Sequence, residues 1–379
     1  MSIKYINGLK ILVISAVGFF FASQLNAQEI PSPASEVSLS LSSYDDLLNR
    51  VSRLEEELSQ KPATAPVYTS TRRDDGTRTS EGGYFTNYEY LFLTPVYSNA
   101  TAFYIHDTLA PISDAATLRE FDFDLQSSHR FELGYLSPST NLGWRTRYWF
   151  FDGNATEVSP TDVDVKVGVA DDPDIGIDDV VGDGTSLIAR AETEMNVFDL
   201  EAISRHQIYY NMVELSAGLR MADVQHHYLA RHSDNNGESL TADNNFKGLG
   251  PTIALMTRRN IGHSNWGLDL QARGSLLFGN ADAQWSRLDS SGTVGDRIVH
   301  DGDLRIIPVA ETRMGVDYRR CYGRYLLELG TGVEGQVWIN GGTPLSAGQD
   351  SASDSSNITS PFSEDLGFIG GYLRASVKY

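Results

Sequence analysis

Leu366-Gly-Phe-Ile-Gly-Gly-Tyr-Leu-Arg-Ala-Ser-Val-Lys-Tyr379 ends the chain, and its alternation decides how everything before it is read. Leu373, Ala375, Val377 and Tyr379 are apolar or small, while Arg374, Ser376 and Lys378 between them are polar. A period of two puts these sets on opposite faces of a strand, one toward something greasy and one toward water. A strand of this kind leaves an unpaired edge unless it finds a partner, and an open edge cannot exist in hydrocarbon. Tyr84–Thr94, with Tyr84, Tyr88, Tyr90 and Phe92 on one face, is the candidate partner at the other end of a closed wall.

The stretch between them repeats the pattern. Phe121, Phe123, Leu125, Phe131, Leu133 and Tyr135 share a parity, against Asp122, Asp124, Arg130 and Glu132. Leu142, Trp144, Tyr148 and Phe150 oppose Arg145 and Arg147, and Phe198, Leu200 and Ala202 oppose Asp199, Glu201 and Arg205. Further strands are expected at 209–221, 246–259, 266–278, 310–318 and 325–334. Short turns at 137–141, 260–265 and 319–323 alternate with long polar loops at 152–189, 226–244, 279–303 and 340–361. The expectation is an all-β, closed antiparallel transmembrane barrel over 84–379 with about ten strands, twelve being the fallback.

A second regularity supports the first. Tyr84, Tyr135, Trp144, Tyr209, Trp266, Tyr318, Tyr325 and Tyr379 all fall at the short-turn end of their strands, at lipid-facing parity. Aromatics at one depth form a membrane-interface girdle. The competing architecture, a soluble β-sandwich with one polar face, has no reason to place them there. The strand at 246–259 lacks the aromatic and contains Pro251, which makes a bulge an expectation there.

Ahead of the wall, Lys4 and Lys10 flank a short apolar run at 11–21, and Ala27 ends a cleavage-site pattern, so residues 1–27 read as a secretory signal. Gln28 rather than Cys follows, which argues against a lipoprotein start. Residues 28–42 read as extended. Leu47, Val51, Leu54 and Leu58 then give an a/d seam over 43–60, capped by Ser43 with Asp46. It reads either as a small homo-oligomerisation coil or as a helix lying at the barrel mouth, and 61–83 as a disordered linker. Cleavage removes Lys4 and Lys10 and takes the net charge from −20 to −22, a balance that argues against nucleic acid as partner. Cys321 is the sole cysteine of the sequence, so intrachain disulfides do not hold the fold.

Several segments resemble the Legionella-type major outer-membrane protein family, a group of pore-forming barrels. They are Gly143-Trp-Arg-Thr-Arg-Tyr-Trp149, Phe198-Asp-Leu-Glu201, Leu215-Ser-Ala-Gly-Leu-Arg220, and Gly248-Leu-Gly-Pro251 followed by Leu276-Leu-Phe-Gly279. Each is short; their order along 84–379 carries the resemblance. It implies an outer-membrane pore in a Gram-negative-type bacterium, with both termini periplasmic, and supplies no catalytic residues.

The residues facing inward are expected to line that pore. They are Arg130, Glu132, Arg145, Arg147, Asp199, Glu201, Arg205, Glu214, Arg220, Asp269, Arg273, Glu311, Arg313, Glu328, Glu334 and Arg374, with Arg258, Asp317 and Lys378 of the same parity. Charge in so narrow a lumen must be paired or wet. Eight strands are nearly filled by side chains and aqueous channels belong to sixteen or so, which leaves an ion-pair plug and a narrow pore both open for ten. Arg145, Arg147, Arg220 and Arg273 are expected to face Glu214, Asp269, Glu328 and Glu334 across the bore.

Between Asp152 and Asp183 lie ten acids and one base, Lys166, a cap that favours cations. That stretch lacks the spacing and closing Glu of an EF-hand loop, so it reads as a solvated acidic loop with no metal. His226, His227, His232 and His300-Asp301 lie beside acids as an enzyme's base and orienter would, but no Gly-x-Ser-x-Gly or His-Glu-x-x-His appears. The expected function is porin-like passive diffusion of ions and small solutes, with no cofactor and with outer-membrane lipid as surroundings. A closed barrel displaying its loops, of adhesin type, is the alternative.

Overall fold

A computed structural model of the chain describes residues 82–379 apart from 107–115, 162, 169–175, 182–184, 234–237, 290, 292 and 346–363. The signal, coil and linker expected over 1–81 lie outside the described residues.

Ten strands close on themselves. In chain order they are β1 (Gly83–Tyr97), β4 (Gln126–Leu136), β5 (Leu142–Val158), β8 (Leu187–Ile208), β9 (Asn211–His232), β10 (Ser239–Asn260), β11 (Trp266–Leu288), β12 (Val294–Tyr322), β13 (Tyr325–Trp338) and β14 (Leu366–Lys378). All pairings are antiparallel, in the order β1-β14-β13-β12-β11-β10-β9-β8-β5-β4 and back to β1. The seam runs from Phe85 opposite Lys378 to Tyr97 opposite Leu366, and the Tyr379 N–H donates to the Tyr84 carbonyl at 2.9 Å. Four shorter strands, β2 (Thr101–His106), β3 (Ala116–Glu120), β6 (Val163–Gly168) and β7 (Gly176–Val181), form a separate sheet in the order β3-β2-β6-β7.

The wall is taller than the alternation of its lower half suggests. β8, β9 and β10 each have 22 residues and β12 has 29, against the ~9–11 that cross a bilayer. Much of what reads as long polar loop at 152–189, 226–244 and 279–303 is therefore strand, continuing past the membrane.

The amphipathic phase inverts part-way up β8, β9, β10 and β11. On β9 the outward residues Leu215, Leu219 and Met221 are apolar, and the inward Glu214 and Arg220 are charged. From Ala222 upward the inward side becomes Ala222, Val224, Tyr228 and Ala230, and the outward side Asp223, Gln225 and His227. β8 inverts between Val197 and Phe198, and β11 around Leu277. The barrel thus has two tiers. The lower is apolar outside and charged inside, as a membrane segment requires. The upper is polar outside and packed inside like a water-soluble core.

Small wall residues (Ala189, Ala191, Ala222, Ala242, Ala281, Ala283) leave room in the upper tier for large ones: Tyr97, Trp149, Phe151, Tyr228, Phe246, Trp285, Trp338 and Phe368. Phe103 of β2 and Val165 and Val167 of β6 are buried in the same core, and the Tyr228 hydroxyl donates to the Ala102 carbonyl at 2.7 Å. Phe121 and Phe123 belong here too. Their parity with Phe131 suggested a lipid face, but residues 121–125 are not strand, and both rings turn inward onto Tyr97 and Tyr228.

Two smaller expectations need correction. At Pro251 the register toward β11 skips Gly250 and Pro251, passing from Leu249–Phe278 to Thr252–Ser275 without a shift, so the ladder is interrupted rather than bulged. Its cause is the missing proline N–H. Tyr209 stands at the tip of the β8–β9 turn with φ of 53°, not on a strand face. The other seven aromatics sit at the short-turn end of the wall, with ring pairs Tyr84–Tyr135 (4.9 Å), Trp266–Tyr318 (5.2 Å) and Tyr325–Tyr379 (5.5 Å), and Trp144 exposed beside them.

Candidate functional site: the charged bore

The lower tier is lined by arginines and carboxylates because alternate residues of each strand must point inward, and these are the polar ones. Register then sets many neighbours: Arg147 lies opposite Asp199, Asp199 opposite Arg220, Arg145 opposite Glu201, Arg205 opposite Glu214, and Arg273 opposite Glu311.

Other pairs leave the ladder and cross the bore. Arg147 on β5 reaches Glu311 on β12 at 3.3 Å, and these two strands stand half-way round the ten-strand circle from each other. Arg220 on β9 meets the same carboxylate at 2.5 Å, and Arg273 on β11 bonds Glu201 on β8. Arg147, Arg220 and Arg273 with Asp199, Glu201 and Glu311 make a hub of three charges of each sign. Arg145 links it to Glu214, which also takes Arg205 at 2.6 Å. A second group joins Arg130 to Glu89 and Glu334, and Arg313 to Glu89. A third, toward the short-turn end, joins Arg374 to Asp269 and Glu328, Arg319 to Glu328, and Arg258 to Asp317.

These groups fill the bore. The gap bounded by Arg130, Arg147, Arg273, Arg313, Glu311 and Glu334 leaves about 10 Å³ to water, room for about one molecule. The apolar core stands directly above.

The inward set expected from parity does point inward, with Glu132 and Lys378 only half-buried. The partners differ from the expected facing sets. Of Arg145, Arg147, Arg220 and Arg273, only Arg145 meets one of the four carboxylates proposed for them, Glu214. Asp269 and Glu328 go to Arg374, and Glu334 to Arg130, because pairing across a tilted barrel follows stagger rather than sequence order.

Glu89 and Arg319 were missed. Glu89 was legible, since it interrupts the Tyr88–Tyr90 face at inward parity; Arg319 sits where strand was read as turn. Gln336 and Tyr372 also join the lattice, bonding Glu334 and, at 3.2 Å, Asp269.

His226 and His227 lie on the upper part of β9, above the inversion at Ala222. His226 is buried between the Thr193 hydroxyl and the Gly341 carbonyl, each at 3.1 Å, and burial holds it down to about 4. His227 is raised by its hydrogen bond to Asp243. Nothing is described of the His300 and Asp301 side chains, and no group of metal-ligating residues occurs among the described residues.

Residues 80–379 match the family model described as Legionella pneumophila major outer membrane protein precursor. The chain belongs to that family. It is therefore an outer-membrane β-barrel protein, and the closed ten-strand wall is the form that membership takes here. No curated protein matched. Among solved structures, the outer membrane protease OmpT from Escherichia coli shares 12% identity over 79% of this chain and 97% of that one, with a TM-score of 0.39. The toluene transporter TodX of P. putida shares 9% over 78% and 89%, with a TM-score of 0.29. The toluene transporter TbuX of Ralstonia pickettii shares 7% over 78% and 90%, with a TM-score of 0.23.

Proposed function

We propose that this protein is a narrow channel for passive movement of ions and small solutes, closed at rest by its charge lattice and opened when the arginines exchange carboxylate partners. The carrying observation is that partners are shared. Asp199 is held by Arg147 and Arg220 at once, and Glu311 by Arg147, Arg220 and Arg273, so a guanidinium can release one carboxylate without stranding either charge. A barrel needing only rigidity fills its bore at least as well with apolar side chains, as this one does in its upper tier.

In this reading the short-turn end and both termini face the periplasm. The acidic segment 152–183 faces outward and favours cations. The reading involves no catalysis, cofactor or nucleic acid; the partners are membrane lipid and the permeating solutes. A homo-oligomer through 43–60 concerns residues outside those described.

One observation favours a second reading, a closed barrel that displays its loops as an adhesin: the upper tier is packed inside with apolar side chains, Phe103, Phe121 and Trp285 among them. Vesicles loaded with potassium chloride separate the two. A channel releases potassium and small sugars, and replacing Asp171, Asp172, Asp174, Asp178 and Asp179 by Asn lowers its cation preference. Vesicles that stay tight to every solute refute the channel.

A further inference from the structure

The side chains of the short turns carry charge of one sign. Residues 137–141, 206–211, 259–265 and 319–325 include Arg259, Arg319, Arg320 and Arg324 and no Asp or Glu, in a chain of net charge −20. Arg319 is turned inward onto Glu328, whereas Arg320 and Arg324 are exposed. Both lie on aromatic rings. The Arg320 guanidinium is 5.2 Å from the centre of Tyr322, and that of Arg324 is 4.4 Å from Tyr379 and 5.3 Å from Tyr325. Arg324 also donates to the Tyr325 hydroxyl at 3.3 Å. A guanidinium resting on a ring face keeps most of its edge donors free for an acceptor.

The ladder places this cluster on the lipid side. Tyr322 pairs with Tyr325, Arg320 with Leu327 and Tyr318 with Leu329, all at outward parity. Exposed Leu327, Leu329 and Val377 continue from the arginines toward the middle of the apolar band. Two cations at girdle depth with a greasy wall beyond them match an amphiphile with an anionic head.

We propose that this corner binds the headgroup of an anionic phospholipid, its phosphate taken by Arg324, with Arg320 adding positive charge along the same lipid-facing edge and an acyl chain lying along Leu327, Leu329 and Val377. The inference rests on the short-turn end facing the periplasmic, phospholipid leaflet. It does not rest on conduction, and binding read in detergent succeeds or fails whether or not the barrel conducts.

The test is native mass spectrometry of the full chain in detergent with equal phosphatidylglycerol and phosphatidylcholine. Phosphatidylglycerol is retained preferentially. Arg320→Gln weakens it about fivefold and the R320Q/R324Q double variant about 25-fold, from the usual worth of a basic side chain at an anionic surface. R320K/R324K keeps the charge and most of the binding, which covers loss of fold in the Gln variants. Arg190→Gln, at the far end of the barrel, leaves retention unchanged. Equal retention of the two lipids, a loss in R190Q as large as in the double variant, or displacement by low-millimolar inorganic phosphate overturns the proposal; the last assigns a free-phosphate site instead.

Discussion

Replacing Arg220 by Met removes one guanidinium from the centre of the hub. Arg220 is fully buried, at 0% exposure, and donates to the two Asp199 oxygens at 2.7 and 3.1 Å while lying 2.5 Å from Glu311. Without it, the hub itself has three carboxylates, Asp199, Glu201 and Glu311, against two guanidiniums, Arg147 and Arg273, with Arg145 still holding Glu201 from outside it. Breaking a buried pair on one side costs about 3–5 kcal/mol. Arg147 at 3.3 Å and Arg273 at 3.6 Å still reach Glu311, so the lower end, about 3 kcal/mol, is expected. Replacing Glu311 by Leu as well restores the balance, and exchanging both partners for apolar groups is close to neutral, so R220M/E311L should lie within about 1 kcal/mol of wild type. Urea unfolding in lipid vesicles, followed by tryptophan fluorescence and by heat-modifiable migration, reads both. A single substitution costing under about 1 kcal/mol, the worth of an exposed pair, would mean a wet lattice and refute the reasoning. So would a double variant no better than the single one.

Three further outcomes are expected. A Cβ at Gly370 would run into the Phe92 carbonyl oxygen, so Gly370→Ala should obstruct the β1–β14 seam and lower the fraction reaching the heat-modifiable folded form. His226 is held down to about 4, so the unfolded chain takes up its proton first; stability is present above about 6.5 and falls by up to about 3 kcal/mol as pH drops toward 4. His226→Asn should flatten that part of the pH profile. Trp266→Ala forfeits the 5.2 Å contact with Tyr318 and should cost about 1 kcal/mol in vesicle unfolding, with no change in the bore.

Closure and strand number were legible because a period of two is a local signal, and the short turns fixed its phase at one end of each strand. Trp266–Phe278 and Tyr325–Glu334 needed nothing beyond their own alternation. The upper tier was not legible by the same rule, since its phase is inverted: Val224 and Tyr228 of β9 lie on the parity that is charged at Glu214 and Arg220. A reading that followed one parity along the strand lost the signal at Ala222 and took the remainder for loop. Phe121 and Phe123 went wrong for the opposite reason, being apolar at the right spacing but off the wall. In the bore, parity identifies which residues point inward. It does not identify partners, because Arg147 meets Glu311 through the stagger of strands on opposite sides.

Single-channel recording of the mature protein in a planar bilayer tests the central claim most directly. The account predicts long closed periods broken by brief, small, cation-preferring openings, which become more frequent when Arg220 is replaced by Met. Steady large conductance from a wide open bore, or silence from wild type and variant alike, would contradict it.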